Sequence, residues 1–458
     1  METKELLKKR VLVVGLGRSG FSAVQLLHRY GTAEIRVVER EVNNEMRDKR
    51  KMLLAKGIEV ELGEHQMSCV DDIDIAVISP GISKEEKIIK ILNERKIPYI
   101  GELELGFLYC RFPLIAVTGS NGKTTTVSLL NEVMKGCGVK TVEAGNIGIP
   151  FSDILLSGDK YETVCLEVSS FQLEDILEFE PFISVLLNIT EDHLDRYSNF
   201  SEYQQAKLNL FKNIKPNQWV IINNDLKGLV KNCGGQKIFF SAEANEEANL
   251  FLKDNKIIFQ FENQKIEILK PTRKHLIGKH NWENILAVIG VALVYDLPLN
   301  IVLEVINDFR GLPHRLEFVE TIKTVNFYND SKATNIDALI KALESFEGSK
   351  INLILGGKNK KGNFAQTRSL IADKVKKVFL IGEASDEIRE ALDGVVKMEK
   401  VADLEGAVQK AYDNSSRGDI VLLSPGCASF DMFESYVERG NVFKEAVNHL
   451  KKKEILIK

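Results

Sequence analysis

The stretch Leu114–Leu130, LIAVTGSNGKTTTVSLL, decides the fold of the central part of this chain. A short apolar run is followed by a turn of small residues and then by a helical pattern. Such a turn leaves backbone N–H groups free, and the helix behind it directs the positive end of its dipole to the same point. The pattern predicts a phosphate-binding loop in which Lys123 reaches the outer phosphates and Thr124 ligates Mg²⁺. The other predicted nucleotide contacts of this loop are Gly119, Ser120, Asn121, Gly122 and Thr125.

The composition of the chain narrows the class of protein. The 458 residues are 44% hydrophobic and 28% charged, with a formal net charge of −4. That length predicts about three domains, and the slightly acidic balance disfavours a nucleic-acid binder. The six cysteines form no CxxC pair, and the longest apolar stretch, Ile285–Tyr295, is too short to cross a membrane. We therefore expect a cytoplasmic protein that binds neither nucleic acid nor membrane. We also expect a monomer, although the composition does not determine the oligomeric state.

Three successive series of short apolar strands and amphipathic helices predict an α/β protein with parallel sheets. The first series begins at Arg10–Gly15 and the second at Leu114, and the third includes the strand Asn352–Gly357. A strand-rich stretch at Lys237–Leu269 predicts a small antiparallel addition to the second series, and Gly311–Arg315 is typical of a linker. We therefore expect three domains: a Rossmann-like domain over 1–101, a P-loop ATPase domain over 102–311, and a second Rossmann-like domain over 312–458.

A second glycine-rich turn, Gly15–Gly20 with the sequence GLGRSG, lies between the first strand and the first helix. With Glu39, about 20 residues on at the end of the next strand, it is typical of dinucleotide binding and favours a nicotinamide-dependent oxidoreductase. Glycines at a helix N-terminus favour any diphosphate, however, including that of a UDP-sugar. The chain offers a phosphate-binding loop and no convincing site for hydride transfer. We therefore interpret this domain as the binding domain for a UDP-linked substrate.

Three polar residues of the central series are candidates for metal and phosphate chemistry. Glu167 ends the strand TVCLE, and an acid after a second strand holds Mg²⁺ in P-loop enzymes generally. His193 follows another strand end and is a candidate metal ligand or polarising cation. Lys207 shares the apolar face of a helix with Tyr203 and Leu210, so burial disfavours its ammonium form. Either this lysine is a reactive neutral amine, or its stem packs while its head reaches water.

Several of these spellings together resemble the Mur ligase family, whose members form amide bonds with ATP. The shortened turn TGSNGKTT, the segment SSFQLE at 169–174 and the segment NDSKATN at 329–335 carry the resemblance. The last two are similar to the D-glutamate-adding branch of the family. The resemblance implies two Mg²⁺ ions, with metal contacts from Thr124, Glu167, His193 and a carbamylated Lys207. The implied contacts to the UDP-linked substrate are Arg18, Ser19, Arg40, Ser79, Gly81, Asn146 and Ser169.

The third series carries residues that the resemblance assigns to ATP and to an incoming amino acid. NDSKATN is the strongest indicator of the substrate, because related ligases that add other residues have a histidine-containing motif there. The implied ATP contacts outside the phosphate-binding loop are Asn284, Arg315, Asp330 and Lys332. The implied D-glutamate contacts are His193, Thr334, Lys360, Ser429, Phe430 and Tyr436.

The resemblance covers essentially the whole chain and implies one reaction. ATP activates the carboxylate of UDP-N-acetylmuramoyl-L-alanine as an acyl phosphate, and the amine of D-glutamate then displaces phosphate. Two rivals stay open: a sibling ligase that adds another amino acid or acts on folate, and the oxidoreductase indicated by Gly15–Gly20. A regulatory GTPase is disfavoured, because the chain has no N-K-x-D guanine motif. The residues expected to act on the reacting groups are Lys123, Glu167, His193, Lys207, Lys332 and Lys360.

Overall fold

The computed structural model describes residues 6, 8–64, 67–190, 196–272, 276, 278, 280–346, 348, 350–359 and 362–456. The chain divides into two units with dense internal contacts. The first unit comprises Met1–Lys270 and Trp282–Val305, and the second comprises Pro271–Asn281 and Ile306–Lys458. Within the described ranges, no helix is long and apolar enough to cross a membrane.

The first unit begins with a sheet of five parallel strands. They are β1 Arg10–Val14, β2 Glu34–Glu39, β3 Glu59–Leu62, β4 Ile75–Ile78 and β5 Tyr99–Gly101. The helices of this part are α1 Arg18–Arg29, α2 Asn44–Leu54, α3 Lys87–Glu94 and α4 Glu102–Tyr109, with a 3-10 helix at Met67–Val70. The strand order is β3-β2-β1-β4-β5. β1 and β4 are aliphatic runs buried almost throughout, as expected where helices cover both faces of a parallel sheet.

A second sheet of nine strands contains the start of the stretch Leu114–Leu130. Its strands are β6 Leu114–Thr118, β7 Thr141–Gly145, β8 Thr163–Glu167, β9 Ile183–Leu186, β10 Trp219–Asn223, β11 Gln236–Ser241, β12 Leu250–Lys253, β13 Lys256–Phe261 and β14 Gln264–Leu269. The helices of this part of the chain are α5 Lys123–Gly136, α6 Phe151–Ser157, α7 Ser170–Leu173, α8 Phe200–Leu208, α9 His280–Val294 and α10 Leu299–Asp308, with 3-10 helices at Asn209–Phe211 and Asn224–Val230. The strand order is β14-β13-β12-β11-β10-β9-β6-β8-β7, so β6 lies between β9 and β8.

The strand-rich stretch Lys237–Leu269 is only partly the antiparallel addition that the sequence predicts. β11 pairs in parallel with β10, and β12 pairs in parallel with β11. β13 and β14 run antiparallel to their neighbours, because tight turns at Asp254 and Glu262, both with positive φ, reverse the chain. A parallel neighbour needs a longer crossover than such a turn provides. The antiparallel strands therefore form the edge of the same sheet.

The first two sheets share one apolar core, which explains why they belong to one unit. Side chains of β1 and α1 meet side chains of β6, β8 and α6 in this core. Both α1 and α4 pack against α6. The three-domain division, with its boundaries near residues 101 and 311, stays a prediction.

The second unit is built on a six-stranded sheet. Its strands are β15 Glu317–Ile322, β16 Val325–Asn329, β17 Ile351–Gly356, β18 Val375–Ile381, β19 Lys397–Lys400 and β20 Ile420–Leu423. Its helices are α11 Ile336–Glu344, α12 Arg368–Lys374, α13 Ser385–Ala391, α14 Leu404–Asp413 and α15 Tyr436–Leu456, with a 3-10 helix at Phe364–Thr367. The order is β15-β16-β20-β17-β18-β19, and all neighbours except β15 and β16 are parallel. The predicted α/β class is confirmed.

Candidate active site

The turn after β6 has the backbone of a phosphate-binding loop. β6 is buried along its whole length and ends at Thr118, and α5 begins at Lys123. Gly122 has φ 84°, and a Cβ there would come within 2.3 Å of Asn284 Oδ1, so any other residue at this position would be strained. The first N–H groups of α5 have no intrahelical partners, which is the feature that an anion site uses.

The segment after β9 braces this turn. Ser120 Oγ donates to Thr190 O at 2.9 Å and accepts from Thr190 N at 2.9 Å. The same hydroxyl lies 2.8 Å from Tyr203 Oη. Asn121 N donates to Asn188 Oδ1 at 2.9 Å, and Ser120 N donates to Asn188 O at 3.0 Å. The expectation that the turn leaves its backbone N–H groups free is therefore wrong for these two residues, because the neighbouring segment supplies acceptors. Ser120 therefore has a structural role in holding the loop, in addition to its predicted contact with a nucleotide.

Two lysine side chains converge on one carbonyl of the turn. Lys123 Nζ donates to Gly119 O at 2.7 Å and to Ser120 O at 3.0 Å. Lys207 Nζ donates to Gly119 O at 2.9 Å. Thr124 and Thr125, half-buried, lie beside them in the first turn of α5. Two lysine nitrogens therefore meet at the turn where a phosphate is expected to bind.

An acid lies on the strand next to the turn, as the sequence predicts for Glu167. β8 pairs in parallel with β6, and Glu167 is the register partner of Val117. The side chain is 2% exposed, and its Oε1 accepts from Asn146 Nδ2 at 3.0 Å. Its Oε2 is buried and has no hydrogen-bond partner among the described residues. A buried carboxylate oxygen in that condition favours a cation.

Lys207 is 1% exposed. Its Nζ contacts Gly119 O and lies 4.7 Å from the centroid of the Tyr203 ring. The interpretation in which the head of this lysine reaches water is therefore wrong. Over the part of the chain that the structure describes, no group of three or more His, Cys, Asp or Glu is placed to hold a metal ion. His193 and Lys360 lie outside the described residues.

Asn284 lies in the second turn of α9 rather than at its N-cap. The side chain is 2% exposed, and its Oδ1 accepts from Thr126 Oγ1 at 3.1 Å. This hydrogen bond joins α9 to α5 directly behind Gly122. The structure thus brings Asn284 to the phosphate-binding loop, while its predicted contact with ATP stays a prediction.

The glycine-rich turn of the first sheet is closed by close backbone contacts. Gly15 has φ 92°, and a Cβ on Gly20 would lie 1.9 Å from Gly15 O. Ser79 Oγ donates to Gly15 O at 3.3 Å and so joins the loop after β4 to the turn. The guanidinium of Arg18 donates to Gly148 O in the loop before α6. Ser19 is half-buried in the first turn of α1.

The other predicted substrate contacts of the first unit are spread more widely. Gly81, in the loop after β4, is exposed. The Arg40 side chain is 73% exposed and pairs with Glu86 at 3.3 Å. Asn146 is exposed at the end of β7, where its amide binds Glu167. Ser169 is the N-cap of α7 in a capping box. The structure therefore gives Ser169 a local role in addition to the predicted one.

In the second unit, a strained segment presents Arg315. His314 and Leu316, on either side, have φ of 63° and 42°, and left-handed backbone costs roughly 1–2 kcal/mol per residue. Asp330 Oδ1 holds the segment by accepting from Leu316 N at 3.1 Å, and its Oδ2 accepts from Ser424 Oγ at 2.8 Å. Burial raises the pKa of the Asp330 carboxyl to about 7, although both hydrogen bonds oppose the change. A donor or cation brought to this carboxyl would favour its ionised form.

The described residues predicted to bind D-glutamate follow two strands of the second unit, with Thr334 after β16 and Ser429, Phe430 and Tyr436 after β20. Lys332 Nζ lies 5.8 Å from the centroid of the Tyr436 ring. Ser429 is 2% exposed, whereas the Phe430 side chain is 66% exposed. Thr334 is half-buried after β16. Their roles stay predictions.

Three family models match the chain in order. A Mur ligase MurD-like N-terminal domain matches residues 9–101, a Mur ligase middle domain matches 117–292, and a Mur ligase glutamate ligase domain matches 314–427. A UDP-N-acetylmuramoylalanine–D-glutamate ligase of Caldicellulosiruptor saccharolyticus is 39% identical over 97% of this chain and 100% of its own length. The chain belongs to the Mur ligase family. The predicted resemblance is confirmed, and the oxidoreductase interpretation of the first glycine-rich turn is wrong.

Other relatives of this Mur ligase agree. A ligase of the same name from Koribacter versatilis is 40% identical over 97% of this chain and 98% of its own. The MurF ligase of Thermotoga maritima in complex with ADP has a TM-score of 0.55 at 19% identity, covering 97% and 96% of the two chains. The UDP-N-acetylmuramate–alanine ligase MurC of Thermotoga maritima has a TM-score of 0.53 at 20% identity, covering 97% and 100%. The two structures share the fold of this Mur ligase.

Glu39, whose role the sequence leaves open, closes the first glycine-rich turn of this Mur ligase. Its Oε2 accepts from Leu16 N at 2.6 Å, and its Oε1 accepts from Glu41 N at 2.8 Å. Lys49 Nζ binds the other side of the turn by donating to Leu16 O at 3.0 Å. The carboxylate of Glu39 thus organises the backbone of the turn. Spacing alone does not distinguish this role from ribose binding.

Arg439 is a buried arginine of this Mur ligase that the sequence interpretation missed. Its Nε donates to Ser331 Oγ at 2.9 Å, and its Nη2 donates to Ser331 O at 2.8 Å and Cys427 O at 3.1 Å. Burial lowers the pKa of the guanidinium to about 10. It joins the segment NDSKATN to the loop after β20. The spacing of Arg439, Phe443 and Val447 along α15 is the signal that indicates its buried face.

Proposed function

We propose that this Mur ligase joins D-glutamate to UDP-N-acetylmuramoyl-L-alanine and converts ATP to ADP and phosphate. The observation that carries the proposal is its similarity, over 97% of its length, to ligases of that name. The phosphate-binding loop supports the use of ATP, because Lys123 and Lys207 meet at Gly119 beside the acid Glu167. The segment NDSKATN supports D-glutamate as the added amino acid.

The phosphates of ATP are proposed to lie on the turn Gly119–Lys123 and the first turn of α5. Lys123 would exchange its two carbonyl partners for oxygens of the outer phosphates, which bind an ammonium more strongly because both partners are charged. The hydroxyl of Thr125 and the N–H group of Gly122 are further proposed contacts. Ser120 and Asn121 are also proposed contacts, although their N–H groups already donate to Asn188. Asn284 is proposed to bind the nucleotide from behind this turn.

The residues of the first unit fit Mg²⁺. Glu167 Oε2 is buried without a described partner, and oxygen ligands are those that Mg²⁺ prefers. Glu167 and the hydroxyl of Thr124 would hold one ion, and His193 and a carbamylated Lys207 would contribute to a second. When bound, Mg²⁺ neutralises charge on the phosphates and orients them.

A carbamate on Lys207 is proposed because the side chain is buried. Burial favours the neutral amine over the ammonium ion. The nitrogen of that amine attacks the carbon of CO₂ and forms an N–C bond, one C–O π bond breaks as its electron pair moves to oxygen, and the nitrogen gives a proton to water. The product is a carboxylate at the end of the lysine side chain. A second acidic ligand would thus lie near Gly119 without an aspartate or glutamate in the sequence.

The UDP-linked acceptor is proposed to bind at the first sheet and the loops next to it. The glycine-rich turn is suited to its diphosphate, although Glu39 already occupies the N–H group of Leu16. Asn146 would bind the acceptor close to Glu167, since its amide already contacts that carboxylate. The remaining proposed contacts are Arg18, Ser19, Arg40, Ser79, Gly81 and Ser169.

In the second unit, Arg315, Asp330 and Lys332 are proposed to bind ATP. Arg315 is suited to a phosphate because its planar guanidinium offers two parallel donors. D-Glutamate has two carboxylates, and a lysine with hydroxyl groups is a suitable donor set for them. Its proposed contacts are His193, Thr334, Lys360, Ser429, Phe430 and Tyr436.

The proposed reaction has two steps. The carboxylate of the acceptor attacks the γ-phosphorus of ATP, forming an acyl phosphate while ADP leaves. The amine of D-glutamate then attacks the acyl carbon, and the tetrahedral intermediate expels phosphate and forms the amide. Lys123, Arg315 and Lys332 offset phosphate charge, and His193 and Lys360 stabilise the intermediate. The protein therefore contributes position and charge more than covalent chemistry.

Phosphate release from ATP tests this function. The assay contains UDP-N-acetylmuramoyl-L-alanine and one of D-glutamate, L-glutamate, L-lysine or diaminopimelate. We expect release that depends on D-glutamate. Release with another amino acid alone would indicate a sibling ligase and contradict the interpretation of NDSKATN.

The use of ATP and a UDP-linked substrate supports a cytoplasmic location. We also propose a monomer, which light scattering would check.

A further inference from the structure

Arg196 joins the two sheets of the first unit near the proposed acceptor site. Its side chain is 16% exposed. Its Nη1 donates to Pro80 O at 3.1 Å, and its Nη2 donates to Ile82 O at 3.2 Å. Both carbonyls belong to the loop after β4 of the first sheet. Arg196 lies before α8, in the part of the chain that contains the second sheet. One guanidinium therefore binds two points of a loop that belongs to the other sheet.

The same guanidinium is also held by two residues that follow β8 of the second sheet. It lies over the ring of Phe171, 4.0 Å from the centroid. Its Nη2 is 3.7 Å from Glu174 Oε2, and the Glu174 side chain is 7% exposed. Glu174 also accepts a hydrogen bond from Tyr197 Oη. Phe171 and Glu174 belong to SSFQLE, the segment that follows Glu167.

The loop that Arg196 holds carries proposed substrate contacts. Ser79 and Gly81 belong to this loop, and Ser79 Oγ donates to Gly15 O. Gly15 opens the glycine-rich turn. A continuous path of contacts therefore leads from the segment after Glu167, through Arg196 and the loop 79–82, to the turn proposed for the diphosphate.

We propose that Arg196 is a positioning residue for the UDP-linked acceptor. By tying the loop 79–82 to the segment after Glu167, it sets the distance between the diphosphate turn and the phosphate-binding loop. The acceptor carboxylate is thereby held at the γ-phosphate of ATP. The role requires a guanidinium, because a planar fork binds two carbonyl oxygens at once and an ammonium is a single point charge. The inference rests on the proposed function in taking the first sheet as the acceptor site.

Steady-state kinetics of the full chain test this role. Arg196→Ala is expected to raise the KM for UDP-N-acetylmuramoyl-L-alanine about tenfold or more, since two charge-assisted hydrogen bonds are lost. The KM for ATP is expected to stay nearly constant, because the phosphate-binding loop is braced by other residues. Arg196→Lys keeps the charge and one bond, so its acceptor KM is expected to lie between the two. Free guanidinium ion, added below the concentration that shifts thermal unfolding, is expected to lower the KM of Arg196→Ala.

Lys84→Ala is the matched control. Lys84 Nζ pairs with Glu174 Oε2 at 3.3 Å, also between the two sheets, and its side chain is 52% exposed. Its removal deletes an ion pair between the same sheets and leaves the bonds from Arg196 to the loop 79–82 in place. We expect an acceptor KM close to that of the parent. An equal rise in Lys84→Ala would mean that any tie between the sheets suffices, and the specific role of Arg196 would be wrong.

The outcomes separate this inference from the proposed function. If the parent releases phosphate with D-glutamate and Arg196→Ala has an unchanged acceptor KM, the positioning role is overturned and the function stands. If Arg196→Ala unfolds, Arg196→Lys decides in the same way. If the parent releases no phosphate, the proposed function fails, and calorimetry of acceptor binding then decides: equal Kd values in parent and variant overturn the role.

Discussion

The first unit contains two glycine-rich turns between a strand and a helix, and they differ in the charges around them. At Gly119–Lys123, the side-chain nitrogens of Lys123 and Lys207 donate to one carbonyl, and Glu167 lies on the neighbouring strand. At Gly15–Gly20, the carboxylate of Glu39 accepts the N–H of Leu16. Two lysine side chains contact the backbone of the first of these turns, whereas a carboxylate of the protein itself accepts a backbone N–H of the other.

The difference shows that glycine spelling permits a turn without deciding its ligand. Glycines remove the steric penalty of positive φ and of close backbone contacts in both turns. The ligand depends on charged side chains that other segments bring to the turn. A spelling typical of nicotinamide cofactors consequently occurs in a Mur ligase.

The largest expected effect is the difference in activity between variants of two lysines, one at each turn. Lys123→Ala is expected to lower kcat/KM for ATP-dependent phosphate release about a thousandfold, because charge on the transferred phosphate loses its nearest partner. Lys49→Ala removes the lysine that binds Leu16 O at the other turn, and we expect a small change. Initial rates at varied ATP check both. Similar losses in the two variants would contradict the contrast between the turns.

Lys207→Ala removes the second lysine that contacts the phosphate-binding turn. We expect activity to fall about a hundredfold, since a proposed metal ligand and its support are lost. Short carboxylic acids added to this variant are expected to restore part of the rate by taking the place of the carbamate. Lys212→Ala, at an exposed position shortly after α8, is the control and should retain its rate. Failure of every small acid to restore activity would count against the carbamate.

Two glycine variants test how much the close backbone contacts of the turn Gly15–Gly20 contribute to stability. Gly20→Ala places a Cβ 1.9 Å from Gly15 O, so we expect it to lower the free energy of unfolding by about 1–3 kcal/mol. At Gly17 a Cβ meets no heavy atom within 4 Å, and Gly17→Ala should be close to neutral. Urea unfolding measures both. Equal stability of the two variants would show that the close contact at Gly20 relaxes freely.

The smallest expected effect concerns Glu39. Glu39→Gln leaves a single acceptor oxygen for the N–H groups of Leu16 and Glu41, and we expect a loss of about 1 kcal/mol in the free energy of unfolding. The acceptor KM should rise modestly, because the turn is less ordered. Thermal unfolding and initial rates check this. An unchanged unfolding midpoint together with a large rise in acceptor KM would mean that Glu39 touches the substrate directly.

Much of the fold could be predicted from the sequence, because strands, helices and turns depend on neighbouring residues. The apolar run before Gly119 and the acid at the end of β8 were sufficient to place Glu167 beside the phosphate-binding loop. The direction of β11 and β12 was predicted wrongly, because strand composition does not reveal which neighbour a strand meets. The burial of the Lys207 head was also undecided, since a helical face shows where the stem packs and not where the nitrogen ends.

The sequence by itself determined the α/β class, the two glycine-rich turns and the Mur ligase resemblance. These depend on local backbone preferences and on the period of apolar residues, which are encoded within short windows. Only the tertiary structure decided that Lys207 meets Gly119, 88 residues away, and that Glu39 closes the turn at Leu16. The hydrogen bonds from Arg196 to the carbonyls after β4 are likewise determined only by the tertiary structure. Such contacts depend on how distant segments pack, and a charged side chain finds its partner only once the sheets are assembled.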